Sequence, residues 1–72
     1  MARKYVKTIT VVEGDVEEVD VAINKWLNEK ASEVGSTIAR FEVLDISLTH
    51  VAETKNSVAY ILALIVYTEL RL

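Results

Sequence analysis

Apolar and polar positions along the chain fall into four blocks. The first, Tyr5 to Val12 (YVKTITVV), is rich in β-branched residues with imperfect alternation and predicts a strand. In the polar stretch that follows, Gly14 permits a turn. Asp15 suits an N-cap, and Glu18 three residues later approximates a capping box, so a helix is expected from near Val16. Val16, Val19, Ile23, Trp26, Leu27 and Val34 then recur at helical spacing and share one face. Acids crowd the start of this helix (Glu17, Glu18, Asp20), which suits the positive end of its dipole, and Gly35 is a natural residue just beyond its end.

The third block, Thr37 to Ala52 (TIARFEVLDISLTHVA), predicts a second strand whose apolar phase changes midway. Phe41 and Val43 are odd-numbered, whereas Leu44, Ile46 and Leu48 are even. Such a change of phase predicts a β-bulge near Val43 or Leu44. Glu53 to Asn56 is a polar turn, and Ser57 to Leu70 (SVAYILALIVYTEL) reads as a third strand that is apolar on both faces.

The order β-α-β-β predicts an α+β fold. Strands one and two lie parallel through a right-handed helical crossover, and strand three returns antiparallel by a hairpin. The most apolar strand belongs in the middle, giving the order 1-3-2 in a three-stranded antiparallel or mixed sheet. A hairpin centred near Lys55 pairs Leu48 with Leu62, Ile46 with Leu64, Leu44 with Val66 and His50 with Tyr60. Those large apolar pairs are expected under the helix. The opposite face then carries Ile61, Ala63, Ile65, Tyr67 and Val43, with Asp45 among them. One helix covers only one face of such a sheet, and an open apolar face is unusual for a soluble monomer. At about 25 cal/mol per Å², several hundred Å² of it is worth on the order of 10 kcal/mol before the costs of association, which points to a stable oligomer.

Length sharpens that expectation. The 72 residues form a single domain, 1–72, and a chain this short buries only about 60% of its unfolded surface, so it needs support. With no Cys and one His, neither disulfides nor a thiolate or multi-histidine metal site can supply it, which leaves oligomerisation. The net charge of −3 argues against a nucleic-acid partner. No apolar run reaches the roughly 20 residues needed to cross a membrane, and the basic start MARKYVKTIT lacks the apolar core of a signal peptide. A cytoplasmic protein without membrane association is therefore expected.

Candidate chemistry is sparse. His50 has no nucleophile or acid at a telling spacing and reads as a packed or partly exposed side chain. Asp45, between apolar neighbours, needs a partner such as Arg40, Arg71 or another subunit. Trp26, Tyr5, Phe41, Tyr60 and Tyr67 suit core packing, or a ring stacked on a flat ligand. Arg3, Lys4, Lys7 and Arg40 would form a basic rim when repeated by symmetry, or a charged strand edge that resists aggregation. The chain has no glycine-rich phosphate loop, zinc motif or nucleophile elbow, so catalysis is not expected.

Two resemblances add to this reading. MARKY, ARFEV and NSVAYILALIVYTEL are similar to the start, second strand and long last strand of the dodecins, small β-α-β-β proteins that assemble into hollow oligomers and bind flavin. The resemblance implies a homo-oligomer with Phe41 at the flavin-stacking position, where dodecins carry tryptophan. VLDISLTH followed by YILALIVY also resembles the strand pair of small sporulation-associated proteins, whose function is not established. The expectation is a non-enzymatic homo-oligomer that binds or sequesters a flavin or nucleotide at subunit interfaces through Phe41, Arg40, Asp45, Lys7 and Tyr67. The alternative is a structural or protein-interaction module with no small ligand.

Overall fold

The computed structural model describes residues 3–72. Its elements run β1 (Arg3–Val12), α1 (Val16–Glu33), β2 (Ile38–Val51) and β3 (Tyr60–Arg71). They form a three-stranded sheet of order β1-β3-β2 in which both outer strands run antiparallel to β3. The expected α+β architecture is therefore present, with the most apolar strand in the middle. Among the described residues no helix is long and apolar enough to cross a membrane.

Local chemistry explains where the elements begin and end. The Glu18 N–H donates to Asp15 Oδ1 at 3.1 Å, so Asp15 caps α1. Gly35 follows the C-cap Val34 at φ +93°, a conformation that favours glycine. At the other end of the helix the positive φ belongs to Glu13, at 53°, while Gly14 is required for space. A Cβ on Gly14 would run into Val11 Cγ1. Val19 and Ile23 carry the buried stripe, with Trp26 and Leu27 beside them; Val16 and Val34, expected on the same stripe, are exposed.

The bulge sits where the phase change placed it. Val43 pairs with Tyr67 and Asp45 with Val66, leaving Leu44 without a partner, and a second irregularity leaves out Ala39. Phe41 and Val43 below the bulge thus share a face with Ile46 and Leu48 above it.

The hairpin register differs from expectation by one residue. Ile46 pairs with Ile65, Ser47 with Leu64, Leu48 with Ala63, Thr49 with Leu62 and His50 with Ile61. The cause is the turn. Thr54 and Ser57 exchange backbone hydrogen bonds of 2.9 and 3.4 Å, and their hydroxyls lie 2.8 Å apart. This centres the hairpin between Lys55 and Asn56, and β3 begins at Tyr60 instead of Ser57. A one-residue slip exchanges the faces of a strand. The helix accordingly packs on Ile61, Ala63 and Ile65, not on Leu62, Leu64 and Val66, and it is the latter set that lies on the helix-free face.

Candidate functional site

Four of the five aromatic side chains gather on the helix side, near the C-terminal half of α1. The Trp26 ring meets Tyr67 at 4.9 Å and Phe41 at 5.7 Å, both edge to face. Phe41 and Tyr67 are 5.5 Å apart, and Tyr5 stacks on Tyr67 at 5.4 Å. The register makes this cluster: Tyr5 and Val43 both flank Tyr67, and Phe41 lies one pair further along β2, opposite Glu69. All four rings are half-buried, so each keeps some surface in reach of a ligand.

Beneath the rings lies a charged group that sequence reasoning missed. Glu69 is only 4% exposed, and Lys30 Nζ donates to its Oε1 at 2.7 Å while Arg71 Nε donates to its Oε2 at 3.1 Å. The hydrogen bond from Lys30 holds the Glu69 carboxyl below the usual glutamate range against the opposing effect of lost hydration; Arg71 adds to the lowering. The same hydrogen bond raises Lys30, with its partial burial opposing. Lys30 Nζ also stands 5.5 Å from the Tyr67 ring centre and 5.9 Å from that of Trp26, within range of cation–π attraction. The available signal was parity: Glu69 continues the odd-numbered series Ile61, Ala63, Ile65, Tyr67 that faces the helix, where Lys30 occupies the last turn.

The five residues expected to bind a ligand divide between the two faces. Phe41 and Tyr67 belong to the aromatic cluster. Lys7, paired with Ile65, lies on the same side and lines a shallow groove of about 260 Å³ with Ile9, Ala22, Lys25, Trp26 and Glu29. Arg40, opposite Leu70, and Asp45, opposite Val66, are exposed on the helix-free face. His50 is exposed opposite Ile61, not opposite Tyr60 as expected, and Tyr60 stands apart from the aromatic group.

Apolar surface is uncovered on both sides of the sheet. On the helix-free side Val6 is 62% and Leu64 36% exposed, with Val12 also open at one end. On the helix side the gap follows from length. The 18 residues of α1 span about 27 Å, against about 46 Å for the 14 of β2. The helix covers β1, β3 and only the first half of β2, so Ile65 is fully buried while its β2 partner Ile46 is 42% exposed, and Leu48 beyond it is equally open. Among the described residues, no group of three His, Cys, Asp or Glu side chains is placed to hold a metal ion.

No protein-family model, curated protein or solved structure matches this chain.

Proposed function

We propose that this protein is a non-enzymatic homo-oligomer that binds or sequesters a small flat ligand, a flavin or a nucleotide, where its subunits meet. The observation that carries the reading is the apolar surface left open on both sides of one sheet. Two separate association surfaces per copy suit assembly beyond a pair. The helix-side opening at Ile46 and Leu48 continues along the same face of β2 into Phe41 and the aromatic cluster. A second copy closing that opening would cover half-buried rings, and Lys7, which shares a groove with Trp26 on the β1 side, carries an ammonium that suits a phosphate or another anionic group. The dodecin resemblance points the same way, with Phe41 as the stacking ring. Arg40 and Asp45 lie on the other face, so in this reading they serve the association of copies and not the same ligand.

Gel filtration with light scattering, combined with an absorbance spectrum of the purified protein, tests assembly and co-purified chromophore together. The expected result is an oligomer that quenches the fluorescence of added riboflavin or FMN, or binds ATP by calorimetry, with Phe41→Ala weakening the binding. Absence of binding by all three at millimolar concentration would remove the ligand and leave an interaction module, the reading that the short Thr and Ser side chains beside Leu62 and Leu64 favour.

A further inference from the structure

We infer that two copies pack helix-free face against helix-free face about a two-fold axis running along β3. This rests on the homo-oligomer reading above and adds a specific arrangement to it. On this face, residues of the three strands stand side by side in rows across the sheet. Reading β1, β3, β2, the first row of this face described on all three strands is Lys4, Thr68, Glu42, with Leu70 and Arg40 beyond it at the rim, and the last is Val12, Tyr60, Val51. Of the three rows between them, Val66 stands between Val6 and Asp45, while Leu64 and Leu62 are flanked by Thr or Ser on both sides.

A two-fold axis along β3 places β1 of one copy over β2 of the other, row upon matching row. Leu62 and Leu64 then each meet their own counterpart once on the axis, while Val12 meets Val51 and Lys4 meets Glu42 twice each by symmetry. The remaining row brings Asp45 over Val6, diagonally beside the same Lys4, which gives that carboxylate a cation it lacks within its own chain among the described residues. The other face-to-face two-fold, with its axis across the strands and centred on Leu64, reverses the rows. It sets Lys4 on Val12 and Glu42 on Val51, so both end-row charges lose the opposite charge that the first arrangement gives them, although Asp45 then meets Thr49 in place of Val6. Charge complementarity therefore selects the first arrangement.

The size suits a weak, reversible pair. Five rows span about 30 Å and three strands about 14 Å, so two copies together bury roughly 800 Å², in the range of transient interfaces. Aligned sheets cross at roughly 30°, and the long Lys4 and Glu42 side chains can take up the resulting offset at the end row.

Sedimentation equilibrium at low ionic strength on charge-reversal variants tests the arrangement. Lys4→Glu and Glu42→Lys are each expected to weaken self-association about tenfold, and the double reversal to restore it to within about threefold of the unaltered chain. Both residues are exposed, and circular dichroism confirms that the variants are folded. If the single variants assemble like the unaltered chain, or the double variant assembles less well than either, the arrangement is overturned while the homo-oligomer stands. A chain that remains single at high micromolar concentration overturns both.

Discussion

Lys30 and Glu69 join the last turn of α1 to the end of β3 through a hydrogen-bonded ion pair of 2.7 Å, and the aromatic cluster roofs the bond. The Glu69 carboxylate is shielded by its immediate neighbours, in a domain too small to have a deep interior, so its stability depends on the partners it actually touches. Glu69→Gln keeps the shape and removes the charge that Lys30 was placed to meet. It is expected to destabilise the fold by about 1–3 kcal/mol, measured by urea denaturation. A variant as stable as the unaltered chain would show the pair to be energetically idle.

The same pair gives the stability a pH dependence of known sign. Glu69 is held below its ordinary value in the folded state, so its contribution is complete above the unfolded glutamate range, about 4.3, and is lost as pH falls through the lower folded value. Lys30 is raised, so its contribution is complete below the ordinary lysine value and is lost as pH rises through the higher folded one. The midpoint of urea unfolding should therefore fall at both extremes, and Glu69→Gln should flatten the acid limb. An acid limb unchanged in that variant would assign the loss to other carboxylates.

The two glycines should fail for different reasons. At Gly35 there is open space but a φ of +93°, so Gly35→Ala is expected to cost about 1–2 kcal/mol through backbone strain, and Gly35→Asn less. At Gly14 the obstacles are the Val11 side chain and the more mobile carboxylate of Glu18, so Gly14→Ala is expected to cost about 1–3 kcal/mol, and pairing it with Val11→Ala should recover part of that. Thermal unfolding of the four variants distinguishes strain from crowding; failure of the pair to couple would refute the clash.

Much of this fold was legible because each signal has a local cause. Asp15 and Gly35 bracket the helix through capping chemistry, and the switch from Val43 to Ile46 marks a bulge because parity along a strand cannot change otherwise. The orientation of the sheet was not legible. β3 is apolar at both parities, so it carries no mark of its inward face, and the decision fell to a turn whose centre, between Lys55 and Asn56, depends on the Thr54–Ser57 hydrogen bonds. The aromatic and charged parts of the candidate site share that dependence. Phe41, Tyr67 and Glu69 converge on Trp26 and Lys30 only once the odd-numbered side of β3 is known to face the helix.

The two open surfaces should be separable by mutation. Leu64→Thr is expected to weaken association through the helix-free face, and Ile46→Thr with Leu48→Thr to weaken it through the overhang of β2. Each should leave the chain folded at low concentration at a cost of about 1–2 kcal/mol, because the replaced side chains are only partly covered. Light scattering should report a smaller particle in each case. Unchanged mass for all of these variants would mean that neither surface holds copies together.

Leu44, the residue without a partner in β2, settles which way the outer half of that strand faces. The bulge takes up Leu44 and so keeps Ile46 and Leu48 on the helix side, with Asp45, Ser47 and Thr49 on the other. Were the ladder unbroken through Leu44, the outer half of the strand would turn over and hand its grease to the side of Leu62 and Leu64. Deleting Leu44 would instead close the kink and leave every later side chain where it is. One skipped amino acid is thus what gives the sheet two greasy sides in place of one.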